Sequence, residues 1–182
     1  MSNILIIKHG SLGDLIQANG AIKDIKKSFS SAKIVLLTST PYYSLMTKCP
    51  YVDEVIIDKR LPRWNLIFLY NLKKMLMRYN FDRVFDLQNS SRTKFYKKFI
   101  LTNSLWSSTE TILEKGQKKE DFDEEPVLDR MEIQLKKSGV QTKYIKNIDL
   151  KWAITDMSNF TNISKDYILF FPFCSKKHHN KK

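Results

Sequence analysis

Residues 9–14, with the sequence HGSLGD, join an apolar run to an amphipathic segment and combine two glycines with one carboxylate. Glycines between a strand and a helix allow a tight turn and the close approach of a ligand, often a phosphate. The dinucleotide fingerprint G-x-G-x-x-G and the P-loop motif are both absent from this turn. Asp14 can therefore be a helix cap, a ligand or a general base, and its position alone favours the cap.

Ser11 bears on this choice because serine is itself a good N-cap residue. With Ser11 in that role, we expect the Asp14 side chain to be free to point into a ligand crevice. A carboxylate in such a place can take a proton from an attacking hydroxyl group. His9 stands at the same edge, where it could contact a substrate or a phosphate, but we expect a merely exposed histidine.

Apolar runs alternate with amphipathic segments through the first half of the chain. The connecting segments show the spacing of helices with one apolar face, and the apolar runs predict buried strands at 3–8, 33–39, 53–58 and 82–88. This alternation predicts an α/β fold with a Rossmann-like, doubly wound parallel sheet. Ligands bind such sheets beyond the carboxyl ends of the strands. The loops expected at that edge are 8–14, 39–41, 58–63 and 88–92.

The second half of the chain has weaker signals. Residues 107–126 are polar and charged without a clear period, which predicts a loop or a partly disordered excursion. Pro126 and the acids before it predict the start of a helix that runs through Lys137 and stops at Gly139. The segment that follows shows only one weak strand, near 148–152.

A fresh apolar run at 167–173 predicts another buried strand, followed by a polar tail. Such a strand resembles the beginning of a second Rossmann-like domain. We therefore predict a first domain at 1–155, and a linker with the first strand of another domain at 156–182.

The composition is that of an ordinary globular protein, with 42% hydrophobic and 12% aromatic residues. Lys and Arg number 31 against 19 Asp and Glu, which gives a net charge of +12. This surplus favours polyanionic partners, namely nucleic acid, anionic lipid or phosphorylated small molecules. No nucleic-acid-reading motif accompanies the charge, so nucleic acid is the weakest of the three.

Cysteine and histidine do not form a recognisable metal site. Cys49 and Cys174 are far apart and lack C-x-x-C pairing, which favours a reducing, cytoplasmic setting. Cys174, His178 and His179 have neither the spacing nor the fourth ligand of a zinc site. The longest apolar region is interrupted by Asn and Lys and falls short of the ~20 residues needed to cross a bilayer. We therefore expect a soluble or, at most, surface-bound protein.

Four ordered motifs occur at compatible spacings along the chain. They are SLGD with the following NGAI, AKI at 32–34, PYVDEVI at 50–56 and DLQN at 86–89. Together they resemble glycosyltransferase family 9, the lipopolysaccharide heptosyltransferases. The resemblance implies the N-terminal half of a two-domain GT-B architecture.

The same resemblance implies a reaction and its residues. The family transfers heptose from ADP-heptose to an inner-core sugar with inversion and without a metal or other cofactor, and the family's base matches Asp14. The candidate residues on the acceptor side are Lys8, Gly10, Ser11, Gly13, Arg60, Arg63 and Gln88. Arg60 and Arg63 would hold an acidic acceptor sugar through charge-assisted bonds, and the alternative is that both are ordinary surface arginines. The implied partners are a nucleotide-sugar donor and an anionic lipopolysaccharide-core acceptor, with no nucleic acid. The implied setting is the bacterial cytoplasm, and peripheral contact with the anionic inner membrane stays open.

The end of the chain, FFPFCSKKHHNKK, resembles the family segment that begins the donor-binding domain. Ser175 and Lys181 would then contact the donor diphosphate. Phe173 and Asn89 stand where the family has glycines. The alternative to an enzyme is a non-catalytic Rossmann-like binding module that lacks the donor-binding domain.

Overall fold

A parallel five-stranded sheet forms the centre of the computed structural model, which describes residues 2–155. Its strands are β1 Asn3–Ile7, β2 Lys33–Ser39, β3 Glu54–Asp58, β4 Arg83–Asp86 and β5 Leu105–Ser107. The order across the sheet is β3-β2-β1-β4-β5, and every neighbouring pair is parallel. The predicted α/β class with a Rossmann-like, doubly wound sheet is confirmed.

Helices cover both faces of this sheet. Within residues 2–155 they are α1 Leu12–Ser28, α2 Tyr43–Met46, α3 Leu66–Met77, α4 Ser91–Phe99, α5 Thr109–Ile112, α6 Lys119–Glu124 and α7 Val127–Lys137. Two short 3₁₀ turns, Thr40–Tyr42 and Lys151–Ala153, complete the described elements. None of the described helices is both long and apolar enough to cross a membrane.

The central strand β1 shows why its sequence is apolar without interruption. Ile4 and Ile6 pack in one hydrophobic cluster with α1 and α7, whereas Leu5 and Ile7 pack in a second cluster with α3 and α4. Successive side chains of a strand point to opposite faces, so a strand covered on both faces is apolar at every position. A hydrophobic core therefore covers each face of the sheet, and polar side chains that could bind a ligand lie at the ends of the strands.

The prediction of a loop or partly disordered excursion at 107–126 was wrong. This segment contains α5 and α6, and Ile112 and Phe122 are buried. A third feature that the sequence did not indicate, β5, lies just before it and pairs with β4. All three elements are three to six residues long, and such short pieces carry too little periodicity to be recognised without their packing partners.

The weak strand predicted near 148–152 is also wrong, since a 3₁₀ turn stands at Lys151–Ala153. The preceding segment crosses α1 instead of joining the sheet. Asp24 on α1 accepts hydrogen bonds from the backbone N–H groups of Lys143 and Tyr144. The predicted second domain at 156–182, with its strand at 167–173, lies outside the described residues, and its boundary stays a prediction.

Candidate functional site

Buried polar side chains gather at the carboxyl edge of the sheet. Lys8 and His9 follow β1, and Ser39, Asp58 and Asp86 end β2, β3 and β4. All five are less than a tenth exposed. Parallel strands bring their carboxyl ends to one edge, which is where ligands bind in doubly wound sheets. These residues form the floor of the candidate site.

Asp58 is the centre of this floor. His9 Nε2 lies 2.9 Å from Asp58 Oδ2, and the hydroxyl of Tyr96 donates to the same oxygen at 2.6 Å. The backbone N–H of Arg60 donates to Asp58 Oδ1 at 2.7 Å. Burial alone would raise the pKa of the Asp58 carboxyl, but the contacts with His9 and Tyr96 outweigh it and hold the pKa below its usual value. Asp58 is therefore ionised, and its contacts link β1, β3 and α4.

Arg92 extends this network to the surface. Its guanidinium donates to the Tyr96 hydroxyl at 3.1 Å and to the carbonyl oxygens of Arg60 and Leu61 at 3.2 and 2.9 Å. Burial raises the pKa of the Tyr96 hydroxyl, and the Asp58 carboxylate raises it further. Tyr96 thus stays protonated and keeps its donor role. The network fixes the loop after β3, in which Arg60 has a left-handed backbone with φ of 52°.

A second set of contacts joins β1 to β4. Lys8 Nζ donates to the carbonyl oxygen of Leu87 at 2.9 Å, and Gln88 Oε1 accepts from the backbone N–H of His9 at 2.9 Å. Asp86 Oδ1 accepts from the backbone N–H of Gln88 at 3.0 Å. The chain segments that follow the two strands are therefore held side by side.

Two buried charges lie within this second set. Burial lowers the pKa of the Lys8 ammonium, although the negative charges of Asp14 and Asp86 oppose the shift. Burial likewise raises the pKa of the Asp86 carboxyl above its usual value. The floor thus carries a lysine and a carboxylate whose charged forms are both disfavoured by burial.

Asp14 lies in the first turn of α1 and is partly exposed. The backbone N–H and the hydroxyl of Ser11 both donate to Asp14 Oδ2, at 2.5 and 3.0 Å. The expectation that Ser11 would leave Asp14 free was therefore wrong. An acid three residues after an N-cap serine reaches back to the N-cap N–H, which is the capping-box arrangement. Among residues 2–155, the hydrogen bonds to Asp14 reach only Oδ2, so Oδ1 is available to a ligand.

The two glycines of the turn differ in their surroundings. Gly10 has φ of +103°, and a Cβ at this position would collide with the ring of Tyr42. Gly13 is exposed, and a Cβ there would meet no heavy atom of the described part of the chain within 4 Å. Gly10 is thus required by the turn itself, and Gly13 leaves open space beside Asp14.

Comparisons with known proteins bear on this edge. No protein-family profile matches the chain. A curated putative glycosyltransferase of Haemophilus influenzae is 38% identical over 60 residues, which are 33% of this chain and 17% of that protein. A glycosyltransferase family 9 structure from Veillonella parvula aligns with a TM-score of 0.63 and 17% identity, over 79% of this chain and 43% of that one. The chain has the glycosyltransferase family 9 fold.

A second structural neighbour is E. coli heptosyltransferase WaaC with ADP-2-deoxy-2-fluoro heptose. It aligns with a TM-score of 0.58 and 14% identity, over 82% of this chain and 52% of that one. The chain thus spans about half the length of these two structures. The predicted identity of its fold, the N-terminal half of a GT-B glycosyltransferase, is confirmed.

The family 9 fold brings most of the predicted site residues to one place. The residues that follow β1 and β4 and lie together at the carboxyl edge are Lys8, Gly10, Ser11, Gly13, Asp14 and Gln88. Arg60 and Arg63 lie in the exposed loop after β3, where the Arg63 guanidinium lies 6.0 Å from the ring of Phe95. The predicted donor residues Ser175 and Lys181 lie outside the described residues. Within residues 2–155, no three His, Cys, Asp or Glu side chains are grouped closely enough to hold a metal ion.

Sequence reasoning missed the network around Asp58. His9 was expected to be exposed, but only 1% of it is accessible, because Asp58 and Tyr96 pack against it. A usable signal was present, since β3 and β4 both end on an aspartate after apolar residues. Charged residues at the carboxyl ends of two parallel strands must share one edge. Tyr96 and Arg92, on α4, had no comparable signal.

Proposed function

We propose that this chain is the acceptor-binding half of a metal-independent, inverting glycosyltransferase. The proposed reaction transfers heptose from ADP-heptose, or a closely similar nucleotide sugar, to an anionic acceptor of the lipopolysaccharide inner core. The family 9 fold and the name of the Haemophilus influenzae relative support a glycosyltransferase. The E. coli neighbour is a heptosyltransferase with an ADP-sugar analogue, which supports the class of donor.

The position of Asp14 is the observation that carries this proposal. An inverting displacement needs a base that removes the proton of the acceptor hydroxyl while the donor phosphate leaves from the opposite face. Ser11 holds one oxygen of the Asp14 carboxylate, which fixes the orientation of the group, and within residues 2–155 no hydrogen bond occupies the other oxygen, which can accept a proton. Gly13 beside it leaves room for a sugar.

The acceptor is proposed to lie against the exposed loop after β3. Arg60 and Arg63 can pair with a carboxylate or phosphate of the acceptor through charge-assisted hydrogen bonds. Hydrogen bonds to Asp58 and Arg92 hold the backbone of this loop, so the backbone that carries the two arginines has a defined position. Lys8 and Gln88 bind backbone groups within the floor and keep the two sides of the site in register.

The test is the transfer activity of Asp14→Asn in the full-length protein. Asparagine keeps an oxygen that can accept from Ser11, so the helix cap survives while the basic carboxylate is lost. We expect kcat to fall by ~10²-fold or more with ADP-heptose and a lipopolysaccharide-core acceptor. Asp121→Asn, an exposed acid on α6, is the matched control and should leave kcat unchanged. Unchanged transfer by Asp14→Asn would remove this residue from the base role.

The alternative function, a non-catalytic binding module, gives a different pattern. It is supported if the full-length protein binds the acceptor but transfers no sugar from any nucleotide donor. The proposed donor contacts of Ser175 and Lys181 can be tested separately, because their loss should raise the Kd for ADP without changing the acceptor Kd. A cytoplasmic location is part of the proposal and follows from the class of donor.

A further inference from the structure

The helix α3 exposes several large apolar side chains on the side that faces away from the sheet, together with exposed lysines. Its inner side packs Leu72 and Leu76 into the core. On the other side Leu66, Ile67, Tyr70 and Met77 are 54 to 77% exposed, and Trp64, just before the helix, is 80% exposed. We call these five residues the α3 outer face. Surface helices of globular domains normally carry polar residues on their outward side. A group of large exposed apolar side chains therefore indicates a surface that contacts a partner or a membrane.

The spacing of these residues places them on one side of the helix. Ile67, Tyr70 and Met77 follow one another at intervals of three and seven, which places them along one side of an α-helix. Leu66 is four residues before Tyr70 and lies on the same side. The exposed apolar side chains therefore lie in one strip along the helix, which the exposed Lys73 and Lys74 interrupt between Tyr70 and Met77.

Basic residues lie within this strip and near it in the chain. Between Asp58 and Asp82 the chain contains no acidic residue, and its basic residues are Lys59, Arg60, Arg63, Lys73, Lys74 and Arg78. Lys73 also donates to the carbonyl oxygen of Phe99, so the end of α4 lies beside α3 and brings Lys97 and Lys98 near. An apolar strip with Trp and Tyr, in a segment (59–81) that has lysine and arginine but no acidic residue, has the composition of a helix that lies in the interface of an anionic bilayer.

We propose that α3 docks this chain onto a membrane of anionic phospholipids. In the docked state the apolar side chains of the α3 outer face enter the boundary between head groups and acyl chains, and the lysines and arginines pair with lipid phosphates. A second copy of the chain fits this face poorly, because a symmetric contact would bring the lysines and arginines of two copies together. The proposal does not depend on the proposed transfer reaction, since membrane binding needs neither donor nor acceptor.

Docking through α3 also orients the candidate site. Trp64 and the start of α3 follow directly after the loop that carries Arg60 and Arg63. A chain bound by this helix therefore holds that loop at the membrane surface. Anionic groups of molecules embedded in the bilayer would then reach the two arginines without leaving the head-group region.

Vesicle sedimentation of the full-length protein tests the proposal. We expect the protein to sediment with vesicles of phosphatidylethanolamine and phosphatidylglycerol and to stay in solution with phosphatidylcholine alone. Ile67→Glu combined with Tyr70→Glu should weaken binding by about tenfold or more, because two apolar side chains are lost and two negative charges are gained. Lys74→Gln combined with Arg78→Gln should also weaken it about tenfold or more. Lys115→Gln with Lys118→Gln, which removes the same charge from the exposed connection between α5 and α6, should leave binding unchanged.

Fluorescence places the contact at the proposed residues. Brominated phospholipids should quench the emission of Trp64, and Trp64→Phe should remove the quenched component. All variants should unfold at the temperature of the wild-type protein, since the substituted side chains are exposed. Equal binding to both vesicle types, or full binding by the Ile67→Glu, Tyr70→Glu protein, would overturn the proposal. Self-association that these two substitutions abolish, without any vesicle binding, would assign the face to a second copy instead.

Discussion

Gly10 lies in the turn before α1, Gly13 is the second residue of that helix, and the two glycines carry different constraints. Gly10 has φ of +103°, and a Cβ added at this position would lie 2.8 Å from Tyr42 Cδ2. Gly13 has ordinary backbone geometry and an open neighbourhood. The turn that presents Asp14 thus depends on one glycine for its shape, and the other affects only the space in front of it.

Gly10→Ala should lower the free energy of unfolding by about 1 to 3 kcal/mol, because a side chain would strain this backbone and collide with Tyr42. Gly13→Ala is the matched control, and it should leave the free energy unchanged or raise it by up to about 1 kcal/mol. Urea unfolding of the two variants measures the difference. Equal effects would show that the turn does not need the geometry of Gly10.

Tyr96→Phe removes the hydroxyl that donates to Asp58 and accepts from Arg92. The free energy of unfolding should fall by about 1 to 3 kcal/mol at neutral pH, because a buried carboxylate loses a partner. The pKa of Asp58 is below its ordinary value of 3.8 in the folded protein. Its ionisation therefore stabilises the fold above that pH, and this stabilisation is lost as the pH falls through the folded pKa.

The pH dependence gives this prediction its check. The difference in the free energy of unfolding between wild type and Tyr96→Phe should be largest at neutral pH. It should become smaller once the pH falls below 3.8. Urea unfolding across this range measures it. Tyr70→Phe, at an exposed tyrosine, should match the wild type throughout. A difference that does not vary with pH would assign the effect of Tyr96 to packing alone.

At the scale of elements, α1 connects the site to the rest of the domain. Its first turn carries Asp14, and its middle is crossed by the segment that follows α7. Gly20 lets this segment approach closely, since a Cβ there would collide with the carbonyl oxygen of Tyr144 and would lie 2.7 Å from Ile145 Cα. The segment is also held by Asp24, which accepts from the N–H of Tyr144.

Gly20→Ala therefore separates helix propensity from packing. Alanine in a helix interior favours the helix by about 1 kcal/mol over glycine. We nevertheless expect a net loss of about 1 to 3 kcal/mol in the free energy of unfolding, because the crossing backbone cannot move away as a side chain could. Thermal or urea unfolding measures the change. A more stable Gly20→Ala protein would mean that the segment at 144–145 does not pack on α1.

At the scale of the whole molecule, Cys49 reports on the integrity of the first core. It is 2% exposed in the cluster shared by α1 and β2, and burial raises the pKa of its thiol to about 11. The reactive thiolate is therefore scarce and inaccessible in the native protein. In a Cys174→Ser background, a thiol reagent should label Cys49 slowly in native buffer and rapidly in denaturant. Rapid native labelling would show that this core opens without global unfolding.

The positive charge of the molecule is unevenly compensated along the chain. Acidic partners neutralise part of the lysine surplus, as in the pairs Lys26 with Asp53, Lys33 with Glu54 and Lys94 with Glu110. The chain between Asp58 and Asp82 has no acidic residue of its own. The net charge of +12 is therefore least compensated, along the chain, where the exposed apolar strip also lies.

The sequence by itself determined the parallel sheet, the four strands β1 to β4 and the turn that carries Asp14. These features are encoded locally, because a strand covered on both faces must be apolar throughout and a helix on a sheet must be apolar on one side. The order of the motifs also indicated the family 9 fold. Both the glycines and the aspartate of the turn could thus be assigned to the carboxyl edge from the residue pattern alone.

Only the tertiary structure decided what surrounds these residues. His9 is buried because Asp58, 49 positions away in the chain, is brought to it when β3 and β1 join one sheet. The strand β5 exists because β4 offers it a partner, and three residues carry no period of their own. The outer side of α3 is exposed because its inner side fills the core. The periodicity of a sequence indicates which residues can be buried, but contacts between distant segments determine which residues are buried. Those contacts produce both the floor of the site and the exposed apolar strip.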